Sequence, residues 1–156
     1  EQENITKAEI WLFHQKLSID KIATIEFIQK VHQKMFNETW KWAGQFRKSD
    51  KNIGNYWTLV PVQLKNLCDD LLFQVEKESF TIEEIAVRFH HRLVSIHPFP
   101  NGNGRHSRIM TDYLLHILGG ESFSWGKHDL VKTTETRNKY IKSCSVETTC
   151  RPINST

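Results

Sequence analysis

Between Thr81 and Gly120 two apolar helical patterns lie on either side of a proline- and glycine-rich break, His97-Pro98-Phe99-Pro100-Asn101-Gly102-Asn103-Gly104. Upstream, Thr81 with Glu84 three residues later is a capping box, and Ile85, Ala86, Phe89, Leu93 and Ile96 recur at helical spacing. This helix must stop before Pro98, because proline disfavours helical backbone in the residue it follows. Downstream, a helix starting near Gly104 carries Ile109, Met110, Tyr113, Leu114, Ile117 and Leu118 and ends at Gly119-Gly120. Both helices that flank the break are thus strongly patterned.

The rest of the chain reads as further helices. Ile5, Ala8, Trp11 and Leu12 open a helical face that extends to Leu17, and a second helix is predicted from about Ala23 to Phe36, burying Phe27, Ile28, Val31 and Met35. Trp40-Lys41-Trp42-Ala43-Gly44-Gln45-Phe46-Arg47 reads as a packing corner in which Gly44 ends or bends the local helix. From Lys51 to Pro61, Gly54-Asn55 followed by Tyr56, Trp57, Thr58, Leu59 and Val60 predicts a small β-hairpin. A helix over about Val62–Lys77 follows, with Leu64, Leu67, Cys68, Leu71 and Leu72 on one side. Leu130–Ile141 is consistent with one more helix, and Ser143–Thr156 is polar and aperiodic, as a disordered tail would be. The sum is an all-α domain over residues 1–142 with a hairpin flap at about 51–61.

Charge and cysteines narrow the setting. A net charge of +3 suits anionic ligands, but Lys and Arg are interspersed with Asp and Glu, so no basic face for nucleic acid is indicated. No run of about 18 apolar residues and no signal segment occur, so neither a membrane nor secretion is expected. Cys68, Cys144 and Cys150 form no C-x-x-C pair and leave one over, which fits a reducing cytoplasm. His90, His91, His97 and His106 invite a zinc reading, but no two stand three or four apart on a helix and no cysteine is near.

The order helix, glycine-rich loop, helix N-terminus gives the break its chemistry. A first helical turn presents unpaired N–H groups and a positive dipole end, where anions bind. Gly102 and Gly104 let successive amides point into one concavity, and Asn103 tolerates a left-handed conformation. Arg105 and Arg108, three apart, share a helix face and give two guanidinium forks for phosphates. A P-loop would need Gly-Lys-Ser or Gly-Lys-Thr, and a dinucleotide fingerprint would follow a strand; neither fits. The bare Gly-x-Gly-Arg-x-x-Arg is equally a solvated turn with basic helix residues. His97, five residues before the glycine loop, is placed to face whatever the loop binds, and imidazole is matched to accept a proton near neutrality.

Together, His97-Pro98-Phe99-x-x-Gly102-Asn103-Gly104-Arg105-x-x-Arg108 resembles the motif of the Fic (Fic/Doc) family, H-P-F-x-[D/E]-G-N-G-R-x-x-R. Trp40-x-Trp42-Ala43-Gly44-x-Phe46-Arg47 resembles the segment preceding that family's flap, and within the family the pattern resembles the bacterial branch called mobile mystery protein B. The likeness runs over roughly residues 25–142. It implies transfer of a nucleoside monophosphate, usually AMP from the co-substrate ATP, onto a Ser, Thr or Tyr hydroxyl of a target protein (AMPylation). By that resemblance His97 is the base, Gly102, Asn103 and Gly104 form the anion cradle, and Arg105 and Arg108 hold the β and γ phosphates. Phe99 anchors the loop, and Asn52, Ile53 and Gly54 begin the flap that holds the target.

Asn101 departs from the pattern, standing where an acidic residue helps bind Mg²⁺; a neutral amide is the poorer ligand. Weakened transfer, another metal-binding group, transfer of a different phosphate-containing group, or a nucleotide-binding pseudoenzyme all follow from that change. Family members are often inhibited through [S/T]-x-x-x-E-[G/N], whose glutamate pairs with the second motif arginine, here Arg108. The sequence offers only Glu3-Asn4, so inhibition is expected from an N-terminal helix outside the chain or from a partner antitoxin.

Overall fold

The capping box forms in part. In a computed structural model describing residues 1–126, Thr81 Oγ1 accepts the Glu84 N–H at 3.2 Å and opens α5, Ile82–Ile96. Across the break α6, Asn103–Leu118, packs against α5, joining Leu93 and Ile96 to Ile109, Met110, Tyr113 and Leu114 in one core. The remaining helices wrap this pair: α1 (Gln2–Phe13), the short α2 (Ile19–Ile22), α3 (Ile25–Phe36) and α4 (Val60–Glu76). α3 buries Phe27, Ile28, Val31, Met35 and Phe36, as its pattern requires, and α4 buries Leu64, Leu67, Cys68 and Leu71.

Helix ends differ from the sequence reading where side chains intervene. Thr24 adopts an extended backbone and its Oγ1 accepts the Phe27 N–H at 3.2 Å, so α3 begins after it and not at Ala23. α1 stops at Phe13, short of Leu17: His14 Nδ1 lies 2.6 Å from Ile10 O, and Gln15 O accepts the Tyr113 hydroxyl of α6 at 3.0 Å. α4 starts two residues early because Pro61 fits a first helical turn, where its missing N–H costs nothing.

The predicted hairpin is the main correction. Residues 51–56 form a bent loop, Trp57–Leu59 a 3-10 turn, and no strand occurs among the described residues. Ser49 O and Asn55 O, on either side of the loop, accept from the Arg47 guanidinium. Asp50 Oδ1 takes the Trp57 N–H at 2.8 Å. The segment is thus a loop held at Ser49, Asn55 and Trp57, without strand pairing.

Glu1–Ser122 forms one compact unit. The second unit begins at Phe123, where the Phe123 and Trp125 rings meet edge to face at 5.4 Å. The helix expected over Leu130–Ile141, the tail Ser143–Thr156 and the boundary at 142 lie outside the described residues. No helix among those described is long and apolar enough to cross a membrane.

Candidate active site

α5 ends on a strained residue. His97 caps it in the left-handed region, φ 51° and ψ 59°, a conformation that costs a residue with a Cβ about 1–3 kcal/mol unless its surroundings enforce it. They do. Arg47 Nε donates to His97 O at 2.6 Å, Arg47 Nη2 to Ile96 O at 3.3 Å, and the Arg47 backbone N–H to Pro98 O at 2.9 Å. Gly54, at φ +98°, packs so closely that a Cβ there would stand 2.6 Å from that of His97.

Phe99 then turns fully inward. Its ring stacks on His32 at 3.8 Å and meets His106 edge to face at 5.1 Å. The Asn103 carboxamide brackets the Phe99 backbone, accepting its N–H at 2.9 Å and donating to its carbonyl at 2.8 Å. Asn103 is therefore a helical residue whose side chain is a buried clamp. The left-handed position anticipated for it belongs to Gly102, φ +80°, where a Cβ would lie 2.7 Å from the Phe36 ring.

The result is an open cleft of about 270 Å³ lined by His97, Pro100, Asn101, Gly102, Asn103, Gly104, Arg105 and Arg108. The structure thus gathers His97, the glycine loop and both arginines around one cleft, with Phe99 behind it in the core. Gly104 faces space that a Cβ would enter without touching anything, which leaves the mouth of α6 clear. Arg105 lies over Phe36 and Trp40, 5.0 and 5.8 Å from their ring centres, and burial lowers its pKa from the usual value; the guanidinium stays charged. Arg105 also pairs with the carboxylate of Glu1. Glu3, the glutamate of the Glu-Asn pair, instead meets Lys7 at 3.0 Å. Burial first, then the Arg47 and Lys51 charges, push His97 down to about 4, so its imidazole is neutral and able to accept a proton.

Asn52, Ile53 and Gly54 lie on the exposed loop, and Gly54 is brought against His97. Asn101 sits at the cleft rim, its Oδ1 already accepting the Gly102 N–H at 2.7 Å. No carboxylate lines the cleft, and among the described residues no group of three or more His, Cys, Asp or Glu could hold a metal ion. The residues lining the cleft therefore supply no charged oxygen of the kind with which Mg²⁺ is ordinarily held.

Two residues important to the geometry escape the sequence reading. His32 accepts the Gly44 N–H on Nδ1 at 2.9 Å, which leaves its proton on Nε2 to donate to Asn101 O at 3.0 Å. Burial holds it neutral, its pKa lowered to about 4. Its signal was a histidine between Val31 and Met35 on a buried stripe, where a polar side chain requires partners. Arg47 is the other, marked only by its place in the Trp40–Arg47 segment.

A family model described as the Fic/DOC family matches residues 22–115. The protein adenylyltransferase fic-1 of Caenorhabditis elegans is 29% identical over 137 residues, which are 85% of this chain and 24% of that protein. The chain spans about a quarter of the length of the curated relatives it matches. Among solved structures, Fic-1 (residues 134–508) from C. elegans superimposes with a TM-score of 0.69 at 21% identity, covering 93% of this chain and 48% of that one. The BepC effector protein from Bartonella tribocorum, solved with bound AMPPNP, gives 0.65 at 15% identity, covering 90% and 82%. Both likenesses are of fold.

Proposed function

The chain belongs to the Fic/DOC family, and from that premise we propose that it is a protein adenylyltransferase that moves AMP from ATP onto a Ser, Thr or Tyr hydroxyl of a target protein. The observation that carries this is the single cleft in which neutral His97 faces the first turn of α6 with Arg105 and Arg108. The target oxygen attacks the α-phosphorus, an O–P bond forms, the P–O bond to pyrophosphate breaks, and His97 takes the hydroxyl proton. The α6 amides and the two guanidinium groups stabilise the charge that grows on the phosphates. Asn52, Ile53 and Gly54 receive the target segment main chain to main chain. No step runs through Mg²⁺, because Asn101 offers only a neutral oxygen already engaged.

The motif and the Trp40–Arg47 segment also support placement in the mobile mystery protein B branch. Inhibition belongs to the same reading: Glu1 holds Arg105, so the β-phosphate must displace a carboxylate before it is gripped. A partner antitoxin remains a second source of restraint.

The test mixes purified protein with α-labelled ATP, a series of divalent cations and a cell lysate, and reads labelled protein and the intact mass of the product. One added AMP is expected, with His97→Ala abolishing label while ATP binding persists. Silence of both wild type and Asn101→Asp under every cation, with ATP still bound, replaces the enzyme by a nucleotide-binding pseudoenzyme. A different mass increment replaces AMP by another phosphate-containing group.

A further inference from the structure

Arg47 has a fully buried side chain, yet its charge is met almost wholly by main chain. Asp50 approaches only to 3.7 Å. Four carbonyls receive the guanidinium instead: Ile96 O and His97 O at the end of α5, and Ser49 O and Asn55 O in the flap loop. One side chain thus joins two segments far apart in sequence, and no ladder joins them among the described residues. Where the segments meet, Gly54 leaves no space even for a methyl group beside His97. Arg47 itself does not line the cleft.

We propose that Arg47 is a positioning residue for the transfer: its guanidinium fastens loop 49–55 to the backbone of His97 and so fixes the base relative to the segment that receives the target. This rests on the adenylyltransferase reading above. A planar fork with five donors spans carbonyls on both sides, which the single ammonium of lysine does not. Loss of the fork therefore leaves the glycine loop, Arg105 and Arg108 in place and loosens the junction between loop and base.

The experiment compares wild type, Arg47→Lys and Gly54→Ala for ATP Kd by calorimetry, for transfer rate and target KM, and for amide hydrogen exchange across residues 48–57. Circular dichroism first establishes that each variant is folded. For Arg47→Lys, ATP Kd is expected within two-fold of wild type, the transfer rate at least ten-fold lower, and exchange across 48–57 faster while 60–76 is unchanged. Gly54→Ala keeps Arg47 but wedges loop from base, and is expected to lower the rate likewise at constant ATP Kd; it carries the test should Arg47→Lys not fold. An unchanged rate and unchanged exchange, or a Kd that weakens in step with the rate, overturns the proposal. A wild type that labels nothing overturns the transferase reading and the positioning role together, whereas unchanged exchange alongside active wild type overturns the fastening alone.

Discussion

Replacing Asn103 by alanine isolates what holds the motif loop in shape. The Asn103 carboxamide, only 4% exposed, makes two hydrogen bonds to Phe99, at 2.9 and 2.8 Å. Truncation leaves a buried N–H and a buried carbonyl without partners, each costing about 1–3 kcal/mol. Alanine returns about 0.5 kcal/mol through helix propensity, so the net expectation is a loss of about 1.5–5.5 kcal/mol. Asn101→Ala is the control: this residue is exposed and its side chain accepts only the adjacent Gly102 N–H, so its loss should stay within about 1 kcal/mol. Urea unfolding at neutral pH, read by circular dichroism and analysed with a common m-value, gives both numbers. A change below about 0.5 kcal/mol for Asn103→Ala, or equal changes at the two positions, would refute the assignment of Asn103 as the clamp.

Stability should also follow pH through the buried histidines. Burial lowers His32 and His90 to about 4 and His106 to about 3, so the unfolded chain binds protons that the folded one does not. Their contribution is complete above about pH 6.5 and falls as pH drops toward 4, by up to about 1.4 kcal/mol per pH unit for each; a urea midpoint that rises over that descent contradicts it. Glu1→Gln releases Arg105 from a half-exposed pair, and ATP should bind about two- to five-fold more tightly; equal or weaker binding by calorimetry means that the pair does not compete with nucleotide.

The helices were readable because each signal was local. Thr81 with Glu84, the apolar spacing from Ile85 to Ile96 and the barrier at Pro98 all act within a few residues of one another, and the structure follows them. The assembly of His97, the glycines, Arg105 and Arg108 in one cleft was legible for the same reason: a helix end, a short loop and a helix start leave little choice. The hairpin did not form where a buried side chain, not a neighbouring strand, holds the loop. Gly54-Asn55 and the β-prone residues after them describe local preference, whereas the competing acceptor bonds come from the buried Arg47 side chain, which also holds carbonyls fifty residues away at the end of α5. His32 lies beyond local reading in the same way, since its partners Gly44 and Asn101 come from two separate loops.

The fastening at Arg47 grips only main-chain oxygens, and every amino acid carries one. The side chains at 49, 55 and 96 are therefore not what the guanidinium reads. On the adenylyltransferase reading, a receiving surface anchored in this way can be rewritten at Asn52 and Ile53 while Gly54 stays and the base remains where the chemistry needs it. Choice of target and competence for transfer then become separately adjustable properties of one short loop.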